Sequence, residues 1–220
     1  MQKFSVDCRQ CPRLARHLED VRQRHPEYHA RPVAAFGPDR AELLVVGLAP
    51  GLHGANRTGR PFTGDHAGIL LYETLHRCGF ASQPVSVARG DGLMLMGCRI
   101  TNAVKCLPPA NRPLPQEVRQ CNAFLAAEIG ALPAGAAVLA LGLIAHDAVL
   151  MALGLKRSSC RFRHGDRHDL PQGLRLYDSY HCSRYNTQTR RLTPDMFKRV
   201  VATIRSDLSR PGGRRTRPGR

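Results

Sequence analysis

Residues 43–65, LLVVGLAPGLHGANRTGRPFTGD, constrain this chain more than any other stretch. Leu43 to Val46 is a short apolar run, the pattern of a strand buried on both faces, and it ends at Gly47. The next residues, Leu48 to Asp65, carry Pro50, Gly51, Gly54, Gly59 and Pro61. They are too polar and too broken for helix or strand. Helical spacing resumes after Asp65 with Ile69, Leu70, Tyr72 and Leu75. The unit is strand, long loop, helix. In an open α/β sheet, ligands bind beyond the carboxyl ends of the strands, so this loop is the natural site. Taken alone it could also be a generic glycine-rich turn or a phosphate loop, although the Walker Gly-Lys-Ser/Thr ending is absent.

The rest of the chain alternates in the same way. Pro12, Leu14, Leu18 and Val21 open a helix. Strands are expected over about 42–47, 99–103, 136–141 and 174–180. Helices are expected over about 66–78, 115–131, 143–153 and 194–208. Residues 81–98 are irregular, with a possible ribbon at Val85, Val87 and Leu93 to Met96. Lys105 to Pro115 holds four prolines and cannot be regular structure. Residues 156–173 read as a polar, basic loop. Helical crossovers favour parallel pairing, so the expected fold is a three-layer α/β/α sandwich with a central four-stranded parallel sheet. Residues 1–208 are expected to form a single domain and 209–220 a disordered basic tail.

Charge narrows the partners. Thirty-three Lys and Arg against 17 Asp and Glu give +16. Removing the five arginines of the last twelve residues still leaves +11. That balance favours a polyanion, nucleic acid first. No run of 18 apolar residues suggests a membrane span, and no secretory signal core precedes the fold. A cytoplasmic monomer is expected, nucleoid-associated if bacterial. Eight cysteines without a secretory signal point to a metal site plus spare thiols. Cys8 and Cys11 form a C-x2-C pair, and Cys106 and Cys121 bracket a loop and the start of a helix. Spacing alone leaves zinc and an iron–sulfur cluster open. So is the reading that these are unrelated buried cysteines.

Three motifs in order, GLAPG, HGANRTGRPFTGD and YHCSRYNTQTRRLT, together with the four cysteines, resemble the uracil-DNA glycosylase superfamily over residues 8–204. The similarity is greatest to the iron–sulfur branch, family 5. The resemblance implies a 4Fe–4S cluster on Cys8, Cys11, Cys106 and Cys121, with zinc as the alternative. It implies DNA containing uracil, or other deaminated bases such as hypoxanthine, as substrate. A glycosylase takes a base out of the stack before breaking its N-glycosidic bond. By resemblance Phe62 stacks on that base, with Gly47 and Ala49 lining the substrate. An amide at Asn102 suits O4 and N3–H of uracil. His181 would donate to O2 of the departing base. Asp65 would position water and support the sugar cation, and His53 and Asn56 are secondary contacts. Arg190, Arg191 and Leu192 would hold phosphates and fill the vacated position.

Each residue also has a plainer reading. Phe62 could pack under its loop, Asn102 form a turn, His181 pack or cap, and Asp65 cap a helix. The chain departs from the family at Leu48 (a family 4 glutamate), at Gly51, at Cys182 and Arg184 (prolines), and at Arg190 (glycine). No lysine stands at a strand end in the site loops, so Schiff-base lyase chemistry is not expected. The alternatives of a different class are a non-catalytic, metal-stabilised nucleic-acid-binding module and a small-molecule nucleotide hydrolase.

Overall fold

A computed structural model describes residues 4–210; the tail expected over 209–220 lies almost wholly outside them. A five-stranded sheet runs β2-β1-β3-β5-β4. Its strands are β1 (Leu43–Gly47), β2 (Cys98–Asn102), β3 (Ala137–Leu141), β4 (Arg167–Asp169) and β5 (Arg175–Ser179). The first four positions in that order are parallel, in register Gly47 with Asn102 and Leu141 with Ser179.

Side chains alternate between the two faces of the sheet. Leu44, Val46, Val138, Ala140 and Leu176 pack with α1 (Pro12–Arg24), α4 (Pro115–Gly130) and α5 (Leu143–Ala152). Leu43, Val45, Leu139, Leu141 and Tyr177 pack with α3 (His66–Arg77) and α7 (Pro194–Ser209). Two covered faces explain why β1 and β3 are continuous apolar runs buried along their whole length.

Three expectations need correction. The sheet has five strands, not four, because part of the basic 156–173 stretch pairs antiparallel to β5 as β4. Its sequence, Arg-His-Asp, carries no apolar alternation to announce a strand. Residues 81–98 form no ribbon; a single bridge joins Ala81 to Leu95. The Asp91 carboxylate instead accepts from the amides of Val87, Ala88 and Leu93 and folds that stretch around itself. Both site loops also contain a short helix, α2 (Ala55–Thr58) and α6 (Arg184–Gln188).

Candidate active site

Parallel register brings three distant segments to one rim. Gly47 ends β1 beside Asn102, the end of β2. A Cβ on Gly47 would collide with Asn102 Oδ1 and stand 2.6 Å from Phe62 Cζ. Only glycine lets those two side chains meet over the strand end. The Phe62 ring lies 5.7 Å from the His181 ring at 29°. Phe62, Asn102 and His181 therefore converge, as the sequence predicts.

Phe62 is held in an unusual state. Its φ is 53°, the left-handed region, which costs a non-glycine residue about 1–2 kcal/mol. The residues around it are clamped. Arg60, 3% exposed, donates to Asp91 Oδ2 at 2.6 Å, Ser86 Oγ at 2.7 Å and Thr63 Oγ1 at 3.0 Å. Its guanidinium also stands 4.8 Å from the Phe36 ring centre. The Tyr72 hydroxyl donates to the Pro61 carbonyl at 2.8 Å. Burial alone would raise the Asp91 pKa; the Arg60 bond and three amides outweigh it and hold the carboxyl well below the usual range. The sequence gives no sign of this clamp, because Arg60 and Asp91 are 31 residues apart.

Asp65 has both roles available to it. Oδ1 accepts from the Gly68 amide at 2.9 Å and caps α3. Oδ2 points at Gly54, where an added Cβ would collide with it and stand 2.6 Å from Asp65 Cβ. Burial pushes the carboxyl pKa up against the lowering effect of the Gly68 and Ala67 amides. A groove of about 750 Å³ opens beside Asp65, between α3 and Pro84 to Val87, with Arg184 in its wall. His66 Nε2 and Thr187 Oγ1 share a 2.9 Å hydrogen bond that joins the two site loops. Burial also drives the His181 imidazole down to about 4, so it is neutral at ordinary pH. Asn186 Nδ2 donates to the His181 carbonyl at 2.8 Å and fixes its backbone.

Atoms of two buried side-chain amides have no partner among the described residues. Asn102 Oδ1 is buried and unpaired, and so are both amide atoms of Asn56, which is fully buried in the first loop. Each orphaned group costs about 1–3 kcal/mol unless a ligand or water meets it. Ala49 is half-buried beside Gly47. His53 takes a different course: it is exposed, its Nδ1 is 2.9 Å from the Tyr28 hydroxyl, and its ring is edge-on to His25. No contact among the described residues joins it to Phe62, Asn102 or His181.

Arg190 and Arg191 are exposed. Arg190 has φ 56°, so a glycine suits that position through backbone conformation as well as close approach. Leu192 is corrected: it is fully buried in the core formed with α3 and α7 and does not present a wedge. Lys105, at the end of the same rim, does not reach the surface. It is buried against Thr101 and both Glu128 oxygens, the latter at 3.0 Å.

Cys8, Cys11, Cys106 and Cys121 line one pocket with Phe4, Leu14 and Phe124. Arg13 brings α1 to α4, donating through Nε and Nη2 to the two Glu117 oxygens at 2.7 Å each. The Lys105 amide donates to Cys121 Sγ at 3.3 Å. Burial and then the neighbouring thiols push Cys106 strongly up, and burial takes Cys121 to about 11. Cys182, fully buried, lies close enough to Asp65 to feel its charge.

A profile of the uracil DNA glycosylase superfamily matches residues 34–205. The chain belongs to that superfamily. It is 49% identical to the "Type-5 uracil-DNA glycosylase" of Thermus thermophilus, covering 88% of this chain and 90% of that one. It is 41% identical to the protein of the same name from Pyrobaculum aerophilum, over 92% and 89%. A "Type-4 uracil-DNA glycosylase" from Pyrobaculum aerophilum is 39% identical over 58% of each chain. Superfamily membership and the convergent rim agree, since the matched span contains Gly47, Phe62, Asp65, Asn102 and His181.

The Arg60 clamp makes a stability prediction. Arg60→Ala strands the Asp91 carboxylate in a buried site and is expected to cost about 3–5 kcal/mol. The drop is read from denaturant unfolding; a loss below about 1 kcal/mol would show that the ion pair does not hold the loop.

Proposed function

We propose that the chain is a monofunctional DNA glycosylase that hydrolyses the N-glycosidic bond of uracil in DNA, and of other deaminated bases such as hypoxanthine, leaving an abasic site. The observation that carries this reading is the buried Asn102 Oδ1, unpaired among the described residues at the end of β2 and facing Gly47 beside Phe62. It is an acceptor waiting for a donor, and N3–H of uracil is one. The amide nitrogen of the same side chain can face O4. Phe62 supplies a flat face for the extruded ring. Asp65 orients the attacking water through the oxygen not used in capping, and its charge supports the oxocarbenium-like sugar. His181, neutral, donates to O2 as negative charge leaves with the base. One chain carries all of these groups, so a monomer suffices, working where DNA is, in the cytoplasm. No helix among the described residues is long and apolar enough to cross a membrane.

The four cysteines are the proposed ligands of a 4Fe–4S cluster. Their sulfurs line one pocket, and thiolate sets of this kind serve zinc as well as iron–sulfur clusters; the family-5 resemblance favours the cluster. Buried thiols pushed up by one another become thiolates only against a strong positive charge. The Lys105 amide is set to stabilise one of them. Bound there, the cluster would cross-link the start of α1 to the loop after β2; the base-release chemistry rests on the rim residues.

Incubation with uracil, hypoxanthine or cytosine duplexes followed by hot alkali tests the reaction. Strand breaks are expected with uracil, and DNA binding without breaks would overturn the reading in favour of a binding module. Asp65→Asn keeps the helix cap yet is expected to slow release by at least about 100-fold, and His181→Ala similarly (about 2.7 kcal/mol each), with duplex affinity nearly unchanged. Unchanged rates in both variants would remove the mechanism.

The pH profile follows from two opposite shifts. Release is expected to fall in acid as Asp65 protonates, at a pKa above its ordinary 3.8. His181, already neutral above about 4, should add no inflection near 6.5. A limb at 6.5 that vanishes in His181→Ala would contradict the neutral donor.

Anaerobically purified protein is expected to be brown, absorbing near about 400 nm with about four irons per chain. Stoichiometric zinc in a colourless preparation would overturn the cluster.

A further inference from the structure

One basic segment of the same rim has no part in this chemistry. Residues 156–167 hold Lys156, Arg157, Arg161, Arg163 and Arg167 against the single acid Asp166. Arg157 pairs with Asp147, and Arg167 with Asp169 and Asp207. Arg161 and Arg163 are exposed, and neither forms a salt bridge among the described residues.

A loop of this charge would repel itself, yet it is folded over a buried carboxylate. Asp178, fully buried on β5, accepts at Oδ1 from His146 Nδ1 (2.7 Å) and at Oδ2 from His168 Nε2 (3.1 Å) and the Arg163 amide (3.3 Å). His146 Nε2 donates to the Cys160 carbonyl at 3.0 Å. A carbonyl and a carboxylate can only accept, so His146 carries both ring protons and forms a buried imidazolium–carboxylate pair. Burial alone would lower the His146 pKa, but the Asp178 bond and charge outweigh it, and the net shift is upward. Phe162 packs edge-on against His146 at 5.7 Å. Cys160 and Arg163 are thereby pinned to the carboxyl end of β5.

The loop then meets the site. His164 stacks on Tyr180 at 5.0 Å and 13°, and its Nδ1 accepts the Tyr180 amide at 3.2 Å. The Arg191 guanidinium stands 4.6 Å from the Tyr180 ring centre. After burial, the charge of the exposed Arg199 is the next influence lowering His164. Tyr180 precedes His181. One cationic surface therefore starts a residue away from the proposed donor, on the side of the rim opposite β2.

We propose that the 156–167 loop is a second DNA-backbone contact, in which Arg161 and Arg163 hold phosphates flanking the extruded nucleotide and the Asp178–His146 pair is the anchor. This rests on the glycosylase reading and extends its footprint. Exposed guanidiniums that meet no acid match phosphate oxygens bidentately, and they position the duplex without reading its bases.

The test is single-turnover uracil release titrated with enzyme between about 50 and 200 mM salt, with binding to an undamaged duplex measured in parallel. In Arg161→Gln/Arg163→Gln the half-saturating concentration is expected to rise about tenfold. The log–log salt slope should fall by about 1.8, roughly 0.9 per lost phosphate, with the saturated rate within about twofold. Arg161→Lys/Arg163→Lys should restore most of the slope. Arg40→Gln, just before β1 at the amino ends of the strands, should leave it unchanged. Wild-type slope and affinity in the double Gln variant, or an equal loss per charge in Arg40→Gln, would overturn the proposal and leave the glycosylase reading standing. Wild-type enzyme that binds duplex but releases no base would overturn the reading instead.

Discussion

A guanidinium buried to 3% exposure is costly to the fold unless its donors are met, and Arg60 meets that condition with Asp91, Ser86, Thr63 and the Phe36 ring. The rim depends on this arrangement. Two residues on, Phe62 occupies a backbone conformation that a free chain would leave. Relaxed to an extended φ, its ring would swing off Gly47 and away from Asn102 and His181. The clamp turns a glycine- and proline-rich loop, which by composition should be mobile, into a fixed wall.

That wall explains the tolerance for orphaned polar atoms beside it. Asn102 Oδ1 has no partner among the described residues. In a mobile pocket the side chain would turn to find water or a backbone amide. Here the strand register fixes it at the end of β2, and the missing side chain at Gly47 leaves room for it and for Phe62 over the strand end. The cost of an unpaired acceptor is carried by the core beneath, where β1 and β3 are buried along their full length. A site that keeps an unmet acceptor favours the ligand that meets it, and rejects bases that place an acceptor there, because burial makes the mismatch costly.

Much of this was legible in residue order. Buried parallel strands are continuous apolar runs, so β1 and β3 announce themselves, and the glycines and prolines after Gly47 mark the loop. Asn102 and His181 stand out at strand ends and Phe62 and Asp65 as the one aromatic and the one acid of the first loop, but their roles come from the resemblance. Pairings between polar residues were not legible. Arg60 with Asp91, and Asp178 with His146 and His168, depend on tertiary proximity and leave no periodic trace. The edge strand β4 escaped because its register is fixed by His168 reaching Asp178 rather than by apolar alternation. Leu192 was misplaced for a related reason. An apolar residue after two arginines reads as a tip, yet the α6 turn folds it inward, its amide donating to the Asn186 carbonyl at 3.0 Å.

The electrostatics divide by depth. A net charge of +16 attracts a polyanion at range, but salt screens exposed charges beyond about 8 Å. Inside the rim burial dominates: it is the leading influence on both Asp65 and His181, moving each toward its neutral form. No arginine is among the groups that shift Asp65, and Arg60, the guanidinium buried in its loop, is matched by Asp91. This separation has a chemical consequence. An uncompensated guanidinium beside Asp65 would hold the carboxylate low and weaken the grip on a water proton that the proposed mechanism asks of it. One beside His181 would disfavour any positive charge building on the sugar. If the rim works as proposed, cations kept on the outer faces of the loops would let the same protein hold a phosphate backbone without spoiling a site that must stabilise a cation on one side of the breaking bond and an anion on the other.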